Sequence, residues 1–239
     1  LTPLQALLLT RELKQLLVSG RLSHISQSTS EIVELSFYHP DRPNRTLVAA
    51  VLPAMPFLFA TTEKRAALAK PPNFCRSLRK NLEYAQLTGV QAHPGERIVT
   101  LTLKTPEGPF QLVFEGIPKY PNLILVGPDG QIISALRYKN DVERPVMPQV
   151  PYLPPPQPAE KPNLWDLAGE DLERLWDKAG KPAWGAWLKN EFRGTDPELA
   201  AYLESFGEKA GQEWNHLKAD AMEKDWNHYT LLPGPPPAL

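Results

Sequence analysis

Arg97 stands beside Glu96, directly after His93-Pro94-Gly95 and at the entry to the alternating run Ile98 to Lys104. A guanidinium is a planar fork of donors that suits a phosphate or a base edge. A carboxylate next to it can orient that fork or accept from an amino group. A second cationic set lies upstream, in Pro71-Pro72-Asn73-Phe74-Cys75-Arg76-Ser77-Leu78-Arg79-Lys80-Asn81-Leu82-Glu83. At about 100° per residue, Phe74, Leu78 and Leu82 share one side of a helix. Arg76, Arg79 and Lys80 share the other at i, i+3, i+4 spacing. The spacing predicts a helix with one face in a core and three cations presented outward, as phosphate contacts that position rather than specify. Asn73 is read as its N-cap. The same patterns also suit a solvated helix face and an ordinary surface Arg–Glu pair, so the residues alone leave both readings open.

Other chemistry finds little support. The five histidines, His24, His39, His93, His216 and His228, show no zinc spacing, and the single cysteine cannot build a thiolate site. There is no P-loop, no G-x-G-x-x-G and no G-x-S-x-G elbow. We expect no catalytic residue, no metal, no cofactor and no small-molecule substrate. Cys75 falls near the apolar side of the expected helix and is read as packing. One cysteine allows no internal disulfide and fits a reducing, cytoplasmic setting. No run of about 18 apolar residues marks a membrane span; Leu47 to Ala60 is broken by Pro53 and Pro56 and reads better as two short strands around a turn.

Charge and proline divide the chain. Net charge is −1, yet residues 1–150 carry 17 Lys and Arg against 12 Asp and Glu, while residues 151–239 carry 9 against 15. An RNA partner would dock on the basic part, with salt-sensitive affinity; two complementary parts packing together would look the same. The 27 prolines are about twice the usual share. Seven fall between Pro145 and Pro158, which reads as an extended linker. All six tryptophans follow it. The expected division is 1–147 as an α+β domain, 148–162 as linker, 163–230 as an acidic helical domain and 231–239 as a proline-rich tail.

The elements that must position these residues are legible in outline. Residues 3–18 read as a helix, with Pro3 in the first turn and Gly20 as the stop. Arg21 to Gln27, Glu31 to Tyr38 and Thr46 to Leu52 read as strands. Ile98 to Lys104 with Phe110 to Glu115 forms one hairpin, and Leu123 to Val126 with Gln131 to Tyr138 a second around Pro128-Asp129-Gly130. Short turns between neighbours argue for an antiparallel sheet. Helices are expected around Leu164 to Trp176, around Trp184 to Phe192 and from Asp196-Pro197-Glu198 onward. Gly180-Lys181-Pro182 suits either a plain helical turn or a helix-hairpin-helix phosphate turn. The fold class is therefore α+β: an N-terminal helix, an antiparallel sheet with a basic helix, then a small helical region.

The block "PPNFCRSLRKNLE" resembles the signature of the NFACT N-terminal domain, found in bacterial ribosome quality-control factors often labelled fibronectin-binding protein A. "LLLTRELKQLLVSGRLSHISQ", "GERIVTLTL", "PKYPNLILVGPDGQIISALRY" and "VPYLPPPQP" resemble further family segments in the same order, over roughly residues 5 to 158. The resemblance implies a non-catalytic domain that holds tRNA on stalled large ribosomal subunits while alanine-rich tails are added. It assigns the family's functional Asp-Arg pair to Glu96 and Arg97, with Glu replacing Asp. The family's Gly-Arg-His corresponds to Pro118-Lys119-Tyr120, which adds Lys119 to the candidate nucleic-acid contacts Arg97, Glu96, Arg79, Lys80 and Arg76. A family acid near the start of the first helix aligns near Thr2, where there is none. The family's coiled coil and C-terminal RNA-binding region are not in this sequence, and the opening Leu1 suggests a trimmed end.

Two other readings follow from the same family. One is a fibronectin-binding adhesin, as the older label says. The other is a DNA glycosylase-like enzyme, since the layout of a sheet domain followed by a helical hairpin is shared; such enzymes use an N-terminal proline amine, whereas Pro3 is internal and has no free amine.

Overall fold

The computed structural model describes residues 1–157 and 160–222. The expected tail 231–239, Trp226 and the end of the expected helical domain lie outside the described residues. The order of elements is α1 (Pro3–Leu17), β1 (Arg21–Gln27), β2 (Ile32–Tyr38), β3 (Arg45–Ala50), β4 (Phe57–Thr61), α2 (Asn73–Leu82), β5 (Gln86–Ala92), β6 (Ile98–Thr105), β7 (Gly108–Glu115), β8 (Asn122–Val126) and β9 (Ile132–Ala135). Then come α3 (Gly169–Lys178), α4 (Trp184–Glu191), α5 (Pro197–Glu204) and α6 (Ala210–Met222). The nine strands form one antiparallel sheet in the order β4-β3-β2-β1-β5-β6-β7-β8-β9. The expected α+β class is the observed one.

The sheet is joined thinly at its middle. β1 and β5 share one residue pair, Arg21↔Gln86, whereas β6 and β7 pair along eight residues each. Strands from both sides of that joint contribute to one buried core: Val33, Leu35 and Leu47 from one, Leu101, Leu112 and Leu123 from the other. α1 packs against β4, β5 and β6, and α2 against β1 and β9. The two helices thereby close the flanks of a two-layered body. Each does so with one stripe: Ala6, Leu13 and Leu17 of α1, and Phe74, Cys75, Leu78 and Leu82 of α2, are buried in that core.

A second apolar cluster lies on the outer face of β6 to β9. Ile98, Val113, Ile124 and Ile132 meet Val146, with Tyr152 packed alongside. Strands buried on both faces read as near-continuous apolar runs, which explains "IVTLTL" and "NLILV". The cover is the proline-rich segment. It is extended and hydrogen-bonded along β9: Ile132 N–H donates to Val150 O at 2.8 Å, Gln149 N–H to Ile132 O at 2.8 Å, and Tyr152 N–H to Gly130 O at 3.0 Å.

A third cluster belongs to the helices. Trp165, Trp176, Trp184, Trp187 and Trp214 pack with Leu172, Leu188, Leu199 and Leu203, and with Leu4 and Leu7 of α1. Trp165 and Trp214 meet edge to face at 4.9 Å, and Trp176 stacks on Trp184 at 4.7 Å. α1 thus carries apolar residues on two sides, one for each body.

Several local readings need correction. Asn73 is the first helical residue of α2 rather than its cap; Pro72 holds the cap position, and no side chain caps the helix. The left-handed residue after α1 is Ser19, with φ 72°, and Gly20 follows it where a side chain would press on Leu17 O. The start of α1 is built by Thr2 and Gln5 as a capping box. Leu164 to Trp176 is not one helix. A 3-10 turn at Leu164–Asp166 precedes α3, and the Gly169 amide at the start of α3 donates to Asn215 Oδ1 at 2.7 Å.

Candidate nucleic-acid interface

The turn that carries Glu96 and Arg97 is set between the sheet and the helices. It closes through Glu96 N–H to His93 O at 2.9 Å and His93 N–H to Ile98 O at 3.2 Å. Gly95 has φ 79°, and a side chain there would collide with Asn163. Asn163 in turn donates to Pro94 O at 3.0 Å and accepts from the Trp165 amide at 3.2 Å. The helical region therefore fixes the turn from outside, which is a contact the local sequence does not announce.

Glu96 does not orient Arg97. Its carboxylate faces Arg193, two residues beyond the end of α4, at 3.5 Å, with both side chains partly buried. Arg97 is held through its backbone, Gly116 N–H donating to Arg97 O at 2.7 Å. Its Nε is buried without a hydrogen-bond partner. The expected mutual pair is thus replaced by a division of labour. Glu96 ties sheet to helices, and Arg97 keeps its donors uncommitted.

Arg97 lines a recess of about 680 Å³ together with Glu96, Lys119, Tyr120, Arg137 and Arg144. Lys119 and Tyr120 sit on the turn between β7 and β8. That turn is held by Lys119 N–H to Pro53 O at 2.9 Å and Tyr120 N–H to Ile117 O at 3.1 Å. Lys119 has φ 72°, and Tyr120 is 74% exposed. The recess thus offers a part-buried guanidinium, an exposed ammonium and an exposed aromatic ring. This set can bind phosphate and stack on a base.

The other cations of the recess are spoken for. Arg144 is paired with Glu115, which is 2% exposed at its side chain, and Tyr152 donates to the same carboxylate at 3.0 Å. Burial pushes the Glu115 carboxyl above its usual range, against the pull of Arg144 and the Tyr152 hydroxyl. Burial and the Glu115 charge together raise the Tyr152 phenol. Arg137 pairs with Glu31 and donates to Pro121 O at 2.8 Å. Lys139 pairs with Asp141. Sequence reasoning overlooked Arg137, Arg144 and Glu115. The available signal was Glu115 itself, an acid on the same strand face as Val113, where the run calls for an apolar residue.

Arg76, Arg79 and Lys80 stand elsewhere, on the outer side of α2, and do not line the recess. Arg79 is partly buried, its Nε donating to Ile25 O at 2.9 Å. Arg76 is hydrogen-bonded to Asn73 of its own helix. Lys80 is exposed. At the Gly180-Lys181-Pro182 turn, Lys181 is 3.3 Å from Asp177 and 3.9 Å from Glu208, and it lies over the Trp176 ring. Its charge is thus already partnered. Among the described residues no group of three or more His, Cys, Asp or Glu could hold a metal, and no helix is long and apolar enough to cross a membrane.

The chain is similar in fold to three solved structures at 22–23% identity. The N-terminal domain of fibronectin-binding protein PavA from Streptococcus pneumoniae aligns with TM-score 0.72 at 23% identity, over 82% of this chain and 76% of that one. The N-terminal part of the fibronectin/fibrinogen-binding protein from Streptococcus suis aligns with TM-score 0.75 at 22% identity, over 87% and 81%. The fibrinogen-binding protein from Staphylococcus aureus also gives 0.75 at 22%, over 93% and 84%. In sequence, 146 residues are 28% identical to the archaeal Rqc2 homolog aRqcH of Methanocaldococcus jannaschii, covering 60% of this chain and 22% of that protein. The chain thus spans well under half of that relative's length. Residues 5–232 match the family of NFACT N-terminal and middle domains, and the chain belongs to that family.

Proposed function

We propose that this chain is the tRNA-binding module of a ribosome quality-control factor, acting in the cytoplasm on large ribosomal subunits that carry a stalled nascent chain. It does no chemistry itself, needs no cofactor and takes no small-molecule substrate. The observation that carries the reading is Arg97, whose Nε is buried without a partner in a recess shared with Lys119 and Tyr120. A buried guanidinium N–H left without an acceptor is costly, and an anionic ligand reaching Arg97 offsets that cost. Kinship with a protein named as an Rqc2 homolog makes tRNA the first partner to test. The adhesin reading draws on the names of solved relatives that are 22–23% identical, a likeness that carries fold alone. The glycosylase-like reading needs a free proline amine, whereas Pro3 is the internal first residue of α1.

The test is tRNA binding over a salt series from about 50 to 200 mM, wild type beside Arg97→Ala. The expected result is saturable binding that weakens steeply with salt and drops about tenfold or more in the variant, the loss of a charge-assisted contact. Binding that is indifferent to salt, or equal in the two proteins, would overturn the proposal.

A further inference from the structure

A second built site lies on the other half of the sheet. Along β2, Val33, Leu35 and Phe37 enter the core, so Glu34 and Ser36 face the opposite side. There they meet Ser26 of β1 and Thr46 of β3, their cross-strand partners. The segment after β4 roofs this face, tied down by Leu68 N–H to Gln27 O at 2.9 Å. Beneath it is a cavity of about 430 Å³ lined by Ser26, Glu34, Ser36, Thr46, Lys64 and Arg65, with His24 at its side.

Glu34 is 3% exposed, and its Oε1 has no hydrogen-bond partner. Its other oxygen accepts from Ser26 at 3.4 Å. The nearest cation, Arg65, stands 3.7 Å away and is partly exposed, with its guanidinium 5.5 Å from the Phe59 ring centre. A carboxylate this deeply buried calls for more donors than one long hydroxyl contact and one loose ion pair. Lys64 and Arg65 at the rim oppose a ligand that is only a cation. The cavity therefore suits a ligand with an N–H donor at its inner end and an anion at its outer end. The hydroxyls of Ser36 and Thr46, 3.0 Å apart, can donate or accept along its length.

A neighbouring recess narrows the class. It shares Ser23 and His24 with the first and adds Arg79 and Tyr84, and Tyr84 is 68% exposed. Arg79 Nε is already given to Ile25 O and Glu83 shares this recess, so what it offers a continuing strand is the Tyr84 ring, on which a neighbouring base can stack. We propose that the Glu34 cavity seats one unstacked nucleotide of an RNA strand. Glu34 accepts from the exocyclic amino group of the base, as carboxylates do from cytosine N4, and Lys64 and Arg65 meet the phosphate. The ligand class rests on the nucleic-acid reading above, but the seat is separate from the Arg97 recess.

Cytosine carries that amino group and uracil does not, so the test compares labelled single-stranded C6 and U6 RNA binding to the full chain by fluorescence anisotropy. C6 should bind about tenfold more tightly, within the range of one good base-edge pair. Glu34→Gln should reduce the preference to less than twofold without lowering the melting temperature. CMP that displaces C6 supports a seat open to free nucleotides; C6 binding that CMP cannot displace supports a seat that needs the strand. Should Glu34→Gln not fold, exposed Lys64→Ala keeps the test open, weakening both oligomers while retaining their ratio. Equal affinity for C6 and U6, no binding of either, or a preference that survives Glu34→Gln would overturn the proposal. Repeating the series in Arg97→Ala separates the two sites: tRNA affinity reports on the recess, and the C-over-U ratio on the seat.

Discussion

The Arg97 recess and the outer face of α2 are both cationic, yet they are built on opposite principles. On α2 the cations come from helical spacing, and two of the three are engaged within the protein: Arg79 with Ile25 O and Arg76 with Asn73. In the recess the cations come from four separate turns and segments. Three, Arg137, Lys139 and Arg144, are engaged within the protein, which leaves Arg97 and Lys119 as the recess cations without an ion pair among the described residues. Periodicity advertises the first arrangement and is silent about the second. A cationic pattern in sequence therefore says little about which charges remain available, because availability depends on partners brought from far along the chain.

The sharpest way to break the comparison is to remove a structural cation from the recess. Arg144→Ala leaves the buried Glu115 without its cation, which should cost about 3–5 kcal/mol, read as a shift of the denaturant midpoint. Arg97→Ala should change stability by well under that amount, since no carboxylate depends on it. An equal loss in both would mean that Arg97 is structural too.

pH dependence sharpens the same point. Glu115 holds its proton above the ordinary carboxylate range because burial outweighs Arg144. The native state then binds more protons than the unfolded state in the window between the ordinary and the raised values. The contribution of this group is fully present below the ordinary carboxylate range and is lost as pH rises through the raised value. Arg144→Met removes an attraction that lowers the Glu115 value, so its stability should fall with rising pH more steeply and over a wider window than wild type. A parallel pair of pH–stability curves would contradict this.

Smaller effects test the joint between sheet and helices. Glu96→Gln weakens the 3.5 Å pair with Arg193, which should cost about 1 kcal/mol and loosen the turn that presents Arg97. Weaker tRNA binding in Glu96→Gln with its salt slope unchanged is the expected signature of a positioning role. On α2, Lys80→Ala should lower the salt slope of tRNA binding by about one contact at most, with any loss of affinity largest at low salt and vanishing as salt rises.

The fold was readable where side chains obey one period. The alternation of Val33, Leu35 and Phe37 and the Pro128-Asp129-Gly130 turn foretell β2 and the β8–β9 hairpin, and Asp196-Pro197 foretells α5, whose cap carboxylate accepts from Leu199 N–H at 2.9 Å. β5 was not readable. The register slips between Leu87 and Gly89, so its two buried apolar residues, Leu87 and Val90, stand three apart. α6 was not readable either, since it opens on Ala210-Gly211 and buries only Ala210, Gly211, Trp214 and Ala221. At the recess, Glu96, Arg97 and Lys119 were named from sequence and do lie together. The pairing of Glu96 with Arg193 was not legible, because the partners are 97 residues apart and nothing local couples them.

The most direct test of this account is a side-by-side measurement of tRNA dissociation constants for Arg97→Ala and for the double variant Arg76→Ala/Lys80→Ala, at one fixed ionic strength. The recess account predicts that the single change costs about tenfold or more, and that the double change, which removes twice the charge, costs about threefold or less. A larger loss from the helix pair than from Arg97 would contradict it and move the interface to α2.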